Sequence, residues 1–434
     1  MKVAFYTLGC KVNQYETQVM RELFEKEGYT VVSDCPDVNV FIINSCTVTA
    51  ESDRKTRQML RKYRSLYKDA VIVLTGCMPQ AFPKDALKLT EADIILGNTD
   101  ARKIIGYVSS FMSNGERIVD IEKHERKEKF NTPDISDFNE RTRAFMKIQD
   151  GCDRYCTYCI IPTARGDIRS KNLADIKKEA EQLALKGFKE VVLVGINLTS
   201  YGKELEEDVN ICDAVEAVCQ VDSILRVRLG SLEPDHISDE MLNRLSKQKK
   251  FCPQFHLSLQ SGCDTTLKRM NRHYDTSFYR DLVKRIRSTF KNASITTDIM
   301  VGFAGETEEE FEQSLDFAKE IGFASAHVFA YSRREGTVAA GLNNQVEKSE
   351  KSRRSKLMIS ATKKTEEAFL DKMLYSTVEV LFETTDEKGY YHGFTDNYCQ
   401  VKVKSDKSLT GKITPVKITH RTDTCLFGKV DTHN

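Results

Sequence analysis

The stretch Ala144–Cys159, AFMKIQDGCDRYCTYC, decides the fold of the largest part of the chain. It joins a strand-like run to three cysteines, Cys152, Cys156 and Cys159, in C-x3-C-x2-C spacing. A loop that follows a barrel strand lies at the strand's carboxyl end, where barrel active sites are built. Three thiolates so close together can hold three irons of a cubane cluster and leave the fourth iron open. A zinc site is the alternative, but zinc would need a fourth protein ligand and none lies nearby.

Alternation of strand-like and helix-like runs continues on the carboxyl side of this stretch, as far as about residue 332. Six strand-like runs with helical patterns between them predict an open or closed barrel, in effect a partial (β/α)6 barrel. The runs are AFMKIQ, EVVLVGIN, ILRVRLGSL, FHLSLQ, SITTDIMVGF and SAHVFAYS.

The amino-terminal part has the same rhythm. Helix-like segments at residues 16–26, 51–67 and 79–89 separate three apolar runs, which predicts βαβ units and an open parallel sheet. The runs are VAFYTL, VNVFIIN and AVIVLT. Residues 122–140 are charged and contain a proline, as an exposed connection between domains would.

The carboxyl-terminal part changes character. Residues 346–374 are polar and predict a solvated helix that leaves the barrel, and the last sixty residues alternate apolar and polar side chains. Such alternation predicts a small antiparallel β-barrel. The fold class is therefore α/β with three domains, at residues 1–139, 140–371 and 372–434.

Composition excludes several classes of protein. The 434 residues are 40% hydrophobic, which excludes a disordered chain, and 65 Lys and Arg balance 64 Asp and Glu. The net charge is close to zero and does not indicate a nucleic-acid-binding protein, so any surface that binds nucleic acid is confined to part of the molecule. Thirteen cysteines are too sparse for a disulfide scaffold at this length and favour metal or redox chemistry. Without a secretory signal or an apolar run of membrane-spanning length, we expect a cytoplasmic protein with reduced thiols.

A second group of cysteines lies in the amino-terminal part. Cys10, Cys46 and Cys77 each follow one of the three predicted strands within a couple of residues, in the contexts TLGC, INSC and LTGC. The carboxyl ends of parallel strands meet at one crevice, the usual ligand site of open sheets. Buried structural cysteine is the alternative for each residue alone. Together they predict a second cluster with three protein ligands and one open iron.

The C-x3-C-x2-C word, with an aromatic residue, Tyr158, before its last cysteine, resembles the radical S-adenosylmethionine superfamily. With the second trio, the whole chain resembles the methylthiotransferase family of that superfamily. The resemblance implies two [4Fe-4S] clusters, S-adenosylmethionine as methyl donor and radical source, and a carboxyl-terminal β-barrel of the TRAM type that binds RNA. It also implies an external electron donor such as flavodoxin or ferredoxin, a sulfur donor, and no membrane partner.

Short words separate the branches of that family. TLGCKVNQYET around Cys10 and the residues around the triplet resemble the branch that adds a methylthio group to N6-threonylcarbamoyladenosine, beside the anticodon in the tRNA anticodon stem-loop. The branch acting on isopentenyladenosine tends to have Gln-Met-Asn after its first cysteine, and the ribosomal-protein branch Pro-Lys-Asn. This chain has Lys11-Val12-Asn13. The alternatives are isopentenyladenosine tRNA, a ribosomal-protein side chain, or a non-catalytic RNA-binding iron–sulfur protein.

Polar residues at strand ends are the remaining candidates for the site, because such groups point at the ligand mouth of a barrel. By resemblance, Tyr158 lies at the cofactor, and Asn197 takes the place of the family's usual Gly-Gly-Glu strand end and holds the methionyl amine. Glu233 would bind a hydroxyl of S-adenosylmethionine, and Gln260 is the catalytic candidate, near the two clusters or the substrate base. The alternative for both is that a polar residue at a strand end only caps a helix or satisfies backbone groups. Asp298 is either a cofactor contact or a buried, paired carboxylate.

Other motifs have an ordinary explanation beside a functional one. The word at residues 302–307, GFAGET, resembles an adenine support, yet Thr307 also predicts a helix N-cap. Several basic and aromatic residues either contact RNA or have an ordinary role, on a solvent-exposed face or in the scaffold. These are Arg54, Arg57, Arg61, Arg64, Arg165, Arg169, Lys402, Lys404, Lys412, Lys417, Tyr391, His392 and Phe394. We expect free, mostly buried thiols at Cys35, Cys212, Cys219, Cys252, Cys263, Cys399 and Cys425.

Overall fold

A parallel sheet of six strands forms the amino-terminal part of the computed structural model, which describes residues 1–33, 35, 37–135 and 142–431. The strand order is β2-β1-β3-β4-β5-β6. The strands are β1 (Lys2–Thr7), β2 (Thr30–Val32), β3 (Val40–Ser45), β4 (Val71–Gly76), β5 (Ile94–Leu96) and β6 (Ile118–Asp120). The helices are α1 (Lys11–Lys26), α2 (Ala50–Leu66), α3 (Cys77–Ala81), α4 (Pro83–Ala86) and α5 (Lys103–Asn114).

Burial explains why these strands could be read from the sequence. Every residue of β3 and β4 is buried, because helices cover both faces of the sheet, and such strands are continuous apolar runs. The prediction of a parallel sheet is confirmed. The prediction omitted β2, β5 and β6, each of which has three residues and is too short to show a period.

A partial barrel of six parallel strand positions, which we call staves, follows the amino-terminal sheet. Its staves are β7, β10, the interrupted pair β11–β12, β13, β14 and β15, and β8 and β9 form a small antiparallel pair beside them. The strands are β7 (Arg143–Lys147), β8 (Gln149–Asp150), β9 (Arg169–Ser170), β10 (Glu190–Val194), β11 (Arg226–Leu229), β12 (Ser231–Leu232), β13 (Gln254–Leu257), β14 (Ser294–Val301) and β15 (Ser325–Ala330). The helices are α6 (Ile161–Arg165), α7 (Leu173–Leu185), α8 (Ile211–Cys219), α9 (Asp239–Ser246), α10 (Asp264–Arg269), α11 (Thr276–Thr289) and α12 (Glu308–Ile321).

The barrel is open on one side. Among the described residues β7 and β15 pair with one neighbour each, so the wall has a gap between them. Only Gly230 separates β11 from β12, and parallel pairing continues around the wall through both. The six strand-like runs therefore correspond to the six staves, and the prediction of a partial (β/α)6 barrel is confirmed.

A long helix and a closed β-barrel complete the chain. The helix is α13 (Lys348–Asp371), and the strands are β16 (Thr377–Thr385), β17 (Tyr390–Thr395), β18 (Gln400–Lys404), β19 (Ile413–Arg421) and β20 (Leu426–Val430). The order β16-β17-β18-β20-β19 closes because β19 pairs with β16. The predicted small barrel is confirmed, with one parallel pairing, between β18 and β20, among four antiparallel ones.

Helix α13 is less solvated than we expected. Met358 belongs to the core of the six-stave barrel, whereas Phe369 and Leu370 belong to the core of the closed barrel. Arg354 is buried and donates to Glu306 Oε2 at 2.8 Å. The helix therefore joins two cores, which its polar sequence hides because long basic side chains cover apolar surface with their stems.

Buried arginines fasten the three parts to one another. Arg334, which follows β15, donates to Asp53 of α2 at 2.6 Å. Arg226 and Arg228 of β11 donate to backbone carbonyls of the closed barrel, at 2.9 Å to Phe394 and 2.7 Å to Asp396. The proposed domain boundary at residues 139 and 140 lies outside the described residues, and the three-domain division stays a prediction.

Within the described parts of the chain, no helix is both long and apolar enough to cross a lipid bilayer.

Candidate functional site

The first cysteine trio lies at the carboxyl edge of the amino-terminal sheet. Cys10 is the N-cap residue of α1, Cys46 follows β3 directly, and Cys77 begins α3 after β4. The strand order reverses direction between β1 and β3, and open α/β sheets bind their ligands at such a switch point. The structure thus places the trio where the fold forms a crevice.

Two glycines allow the cysteine loops to approach each other. Gly9 has φ +114°, and a Cβ added there would lie 2.8 Å from Cys46 Cβ. Gly76 has φ +99°, and its Cβ would lie 2.5 Å from Asn44 Oδ1. A side chain at either position would clash and would strain the backbone. The glycine before Cys10 and the one before Cys77 therefore serve the close approach of these loops.

Electrostatics show that the three thiols of the trio lie near one another. Burial raises the pKa of Cys77 to about 12, and the charges of Cys46 and Cys10 add to that rise. Burial also raises the pKa of Cys46. Arg165 opposes both effects, because a cation stabilises a nearby thiolate. The surroundings of the trio therefore disfavour free thiolates, while the Arg165 cation would stabilise an anionic metal–thiolate group.

The second trio lies in the loop after β7 and β8. Gly151 has φ +71°, and a Cβ there would lie 1.8 Å from the carbonyl oxygen of Asp167, so no larger residue fits before Cys152. The amide of Cys152 donates to the carbonyl of Gly166 at 3.2 Å. Ile161 N donates to Cys159 Sγ at 3.4 Å. The loop is thus fixed from both ends, at the carboxyl end of a barrel strand as the sequence predicted.

Arg272 is a residue of this site that the sequence analysis missed. Its Nη1 donates to Cys156 Sγ at 3.3 Å, and its Nη2 binds Glu233 and donates to the carbonyl of Ser258 at 3.1 Å. The side chain is 4% exposed. Because 116 residues separate Arg272 from Cys156, neither spacing nor periodicity could have indicated the contact.

The donor sets suit cubane clusters better than single ions. In the part of the chain that the structure describes, no three Cys, His, Asp or Glu side chains converge closely enough to hold one metal ion. A cubane is less demanding, because each cysteine binds a different iron. Burial raises the pKa of Cys152 to about 11 and that of Cys159 to about 12, so these thiols depend on a metal to displace their protons. All six cysteines are free.

Tyr158 and Asn197 lie beside the triplet, but their side chains have protein partners. The ring of Tyr158 packs edge-on against Phe303, with centroids 6.3 Å apart. Asn197 is buried, and its amide donates to Ser200 Oγ at 2.8 Å. Gln149 is the polar group that joins the two loops: its Oε1 accepts from Asn197 N at 2.8 Å, and its Nε2 donates to Gly151 O at 2.8 Å.

Glu233 and Gln260 lie at the carboxyl ends of neighbouring staves, as predicted. Burial raises the pKa of Glu233, while its ion pair with Arg272 opposes the rise. Gln260 is 7% exposed and has φ +66°, a left-handed conformation that is uncommon for glutamine. Its buried Oε1 has no hydrogen-bond partner among the described residues. An unsatisfied buried oxygen on a strained residue is a common feature of ligand sites.

Asp298 faces a cavity inside the barrel and is a paired carboxylate, one of its two expected roles. His256 Nε2 lies 3.3 Å from Asp298 Oδ2, and His327 Nδ1 lies 3.5 Å from Oδ1. Burial would raise the pKa of Asp298, but the two imidazoles outweigh burial and hold it well below the ordinary value. The hydrogen bond to Asp298 raises the pKa of His327.

This cavity has a volume of about 620 Å³, and Cys10 of the first trio lies in its wall. The inner faces of β13, β14 and β15 form one side of the cavity. The segment from Phe394 to Gln400 of the carboxyl-terminal barrel forms part of another wall, with the Phe394 ring stacked on Tyr398 at 4.7 Å. Lys11 and Val12, the residues after Cys10, also line it. All three parts of the chain therefore contribute to one internal space.

A buried network of charges connects the two cysteine sites. Arg165 is the last residue of α6, the helix that follows the second trio, and it is 1% exposed. It donates to Glu16 of α1 at 2.7 Å and to Asp150 at 3.1 Å. Lys147 binds the same two carboxylates, at 2.8 Å and 2.6 Å. Arg169 is also buried, 3.6 Å from Asp150. Scaffold pairing, one of the two roles expected for Arg165 and Arg169, is the one the structure shows.

The basic stripe on α2 is partly engaged within the protein. Arg54 binds Glu51 at 2.6 Å on the surface. Arg61 lies 3.4 Å from Glu91, and Arg64 donates to the carbonyl of Ala70 at 3.0 Å. Arg64 therefore serves the scaffold. The stripe consists of Arg54, Arg57, Arg61 and Arg64.

The basic and aromatic residues that the sequence analysis grouped together in the closed barrel lie on different faces of it. Phe394 faces the cavity, but Lys402 pairs across the sheet with His392 on one side and Phe427 on the other. The ring of His420 stacks on Phe427 at 4.8 Å. Residues directly opposite each other on neighbouring strands share a face. This face, which we call the basic aromatic face, combines imidazole, ammonium and phenyl groups.

Two secondary expectations are confirmed. Thr307 caps α12, and Glu310 completes a capping box with it. All seven remaining cysteines are free, and five of them are buried.

Comparison with known proteins agrees with this geometry. Residues 146–318 match the Radical SAM superfamily, and residues 2–97 match the uncharacterized protein family UPF0004. The Bacillus subtilis threonylcarbamoyladenosine tRNA methylthiotransferase MtaB is 37% identical, over 96% of this chain and 93% of its own. The chain belongs to the radical S-adenosylmethionine methylthiotransferase family. MtaB of Thermotoga maritima is 36% identical over 91% of this chain and 90% of its own.

The family contains more than one named activity. The Clostridium perfringens tRNA-2-methylthio-N(6)-dimethylallyladenosine synthase is 34% identical over 98% of this chain and 96% of its own. Among solved structures, the radical S-adenosylmethionine methyltransferase TsrM of Kitasatospora setae, with cobalamin and a [4Fe-4S] cluster bound, has a TM-score of 0.57 at 13% identity, over 78% of this chain and 76% of its own. That likeness supports the fold. The cofactors of the family are S-adenosylmethionine and two [4Fe-4S] clusters.

Proposed function

We propose that this methylthiotransferase adds a methylthio group to C2 of N6-threonylcarbamoyladenosine next to the anticodon of tRNA. One observation carries the proposal: Cys10 of the first cysteine trio lies in the wall of the cavity inside the radical barrel. A sulfur group held at that trio would therefore meet a substrate held in the barrel. A cysteine site that opens on the cavity of the radical barrel suits a transfer reaction rather than a structural or sensing role.

The six cysteines are the proposed ligands, Cys10, Cys46 and Cys77 for one cluster and Cys152, Cys156 and Cys159 for the other. When bound, the clusters and S-adenosylmethionine supply the methyl group, the sulfur site and the hydrogen-abstracting radical. Arg272 orients Cys156 by its hydrogen bond to Sγ. We propose that Tyr158, Asn197 and Glu233 shape the cofactor pocket.

Side chains of the barrel would hold the adenine. The unpartnered Oε1 of Gln260 can accept a hydrogen bond from the bound base or cofactor, which supports its role as the catalytic candidate. Asp298 belongs with His256 and His327 in the substrate cavity, and we propose it there rather than at S-adenosylmethionine. The walls of the cavity would shield a bound base from part of the surrounding water, which limits the side reactions of a radical.

The RNA would reach the cavity along the carboxyl-terminal barrel. The basic aromatic face offers ammonium groups for phosphates and rings for unstacked bases, the combination typical of single-strand binding. The target adenine must turn out of the anticodon-loop stack before its C2 edge is accessible. Because tRNA is the proposed substrate, we place the reaction in the cytoplasm, with an external electron donor such as flavodoxin or ferredoxin and a sulfur donor.

Iron content and substrate choice test the proposal together. After anaerobic reconstitution we expect about eight irons per wild-type chain and about four in a Cys10→Ala/Cys46→Ala/Cys77→Ala variant or a Cys152→Ala/Cys156→Ala/Cys159→Ala variant. A Cys35→Ala/Cys219→Ala variant, which alters two other free thiols, is the matched control and should keep about eight. About four irons in the wild type would overturn the two-cluster assignment.

Mass spectrometry of tRNA nucleosides from a deletion strain then identifies the substrate. Loss of the methylthio form of N6-threonylcarbamoyladenosine, restored by the wild-type gene alone, is the expected result. Loss of the isopentenyladenosine product or of a ribosomal-protein modification would reassign the enzyme to another branch.

A further inference from the structure

We propose that Lys11 determines substrate specificity by binding the carboxylate of the threonylcarbamoyl group. This inference rests on the proposed function and names the group that selects this tRNA base. Lys11 is the first residue of α1 and directly follows Cys10, and both residues line the cavity.

Lys11 is half-buried and lacks the carboxylate partner that the buried cations Lys147 and Arg228 have. No carboxylate among the described residues forms an ion pair with it, and its Nζ lies over the Phe145 ring, 5.9 Å from the centroid. In contrast, Lys147 binds Glu16 at 2.8 Å, and Arg228 binds Glu190 at 2.8 Å. A cation withdrawn from water is costly unless it is paired. An unpaired ammonium on a cavity wall is therefore prepared for an anion.

Two other charged groups around the cavity are already paired, so Lys11 is the group available to bind the substrate carboxylate. Asp298 already has two imidazole partners, His256 and His327. Outside the lining, the nearby Arg143 is bound to Glu383 and stacks on Phe394.

Glu366 is the other carboxylate of the lining, and it lies on α13 beside Phe369 and Leu370. It forms no described ion pair with Lys11, so the ammonium is not neutralised from that side. Among the described lining residues, Lys11 thus supplies the uncompensated positive charge.

The chemistry of the base matches this position. C2 and the N6 substituent lie on the same edge of adenine, so a base that presents C2 to a sulfur held beside Cys10 brings its N6 substituent near as well. The threonylcarbamoyl group ends in a carboxylate, whereas a dimethylallyl group is apolar and would leave the ammonium unpaired. A site built to bind a charged group rejects an analogue that lacks the charge.

Two RNAs and three variants test the inference. The RNAs are anticodon stem-loops that carry N6-threonylcarbamoyladenosine either as the free acid or as its methyl ester, which removes the charge. The variants are Lys11→Met, Lys11→Arg and, as a matched control on the same helix, the exposed Lys26→Met. Steady-state methylthiolation by the reconstituted full chain and fluorescence anisotropy of RNA binding are both measured.

We expect Lys11→Met to raise KM for the acid RNA about 10- to 100-fold, the loss typical of one charge-assisted hydrogen bond, while leaving the ester nearly unchanged. Lys11→Arg should recover part of the loss, and Lys26→Met should match the wild type. Iron content must stay at the wild-type value; if it falls, the binding measurement on the apo-protein decides.

Equal losses on acid and ester, or no loss on either, would overturn the role of Lys11. A wild type that binds the acid RNA more tightly than the ester but methylthiolates neither would overturn the proposed function instead.

Discussion

Replacing Arg165 with methionine should destabilise the protein, because two buried carboxylates, Glu16 and Asp150, would lose one of the two cations that bind both of them closely. Arg165 contacts Glu16 at 2.7 Å and Asp150 at 3.1 Å. Lys147 would remain to balance both carboxylates, and Arg169, 3.6 Å from Asp150, would help only on that side. Breaking a buried ion pair costs about 3–5 kcal/mol, and the cations that remain, Lys147 and the more distant Arg169, favour the lower end. At about 2–4 °C per kcal/mol for a domain of this size, a loss of about 3 kcal/mol lowers Tm by about 6–12 °C.

Anaerobic calorimetry of the apo-protein measures this loss without contributions from the clusters. Arg169→Met is the matched control, since Arg169 lies at longer distances, 3.5 Å from Glu128 and 3.6 Å from Asp150, and should cost on the order of 1 kcal/mol. Adding Glu16→Gln to Arg165→Met removes one of the uncompensated charges and should restore part of the stability.

The pH dependence of this loss has a definite sign. Burial would raise the pKa of Glu16, but Arg165 and Lys147 outweigh burial and hold it below the ordinary value. The network therefore stabilises the protein above the ordinary carboxyl pKa, about 4.3, and the contribution disappears as the pH falls below it. The difference between wild type and Arg165→Met should shrink in acid. A Tm within about 2 °C of wild type at neutral pH would refute the reasoning.

Two further predictions concern the second cysteine site and the cavity. Gly151→Ala should lose the second cluster, so that the iron content falls from about eight to about four per chain, because the added Cβ would lie 1.8 Å from the carbonyl oxygen of Asp167. The control is Gly187→Ala, at a position with φ +91° and open space around it, which should keep about eight irons. Asp298→Asn should lower the pKa of His327 to or below about 6.5, measured by NMR titration of the imidazole, since Asp298 raises it. That ion pair is fully formed below pH 6.5 or so and is lost as the pH rises through the His327 pKa, so an unchanged titration in the variant would contradict the pairing.

Elements with a clear local pattern were predictable. The buried strands β3 and β4 are apolar throughout, and Cys46 and Cys77 follow them directly, so both the sheet and one cysteine trio could be proposed together. The three-residue strands β2, β5 and β6 could not, because a period needs more residues than they have. The polar sequence of α13 predicted solvation, and its packing against two cores became visible only in the fold.

The residues of the candidate site likewise divide into those that a local sequence pattern marks and those that only the folded structure reveals. Cysteine spacing and position after a strand are local properties of the chain, and they were enough to predict both cysteine sites. Arg272 and Arg165 act on residues 116 and 149 positions away, and no local pattern marks an arginine for such a contact. Gln260 was a candidate because it ends a strand, but its left-handed backbone and its unpartnered oxygen are properties of the folded chain.

The sequence by itself determined the alternation of strands and helices and the two cysteine trios, since these follow from short-range periodicity and spacing, and the resemblance of its short words to known sequences indicated the family. Only the tertiary structure decided that Cys10 shares a cavity with the barrel strands, that Glu16 and Arg165 join the two cysteine sites, and that Lys11 forms no ion pair with a carboxylate among the described residues. The physical reason is that burial and charge pairing depend on which distant segments meet, and that is settled when the sheet, the barrel and the closing segment at Phe394–Gln400 pack together.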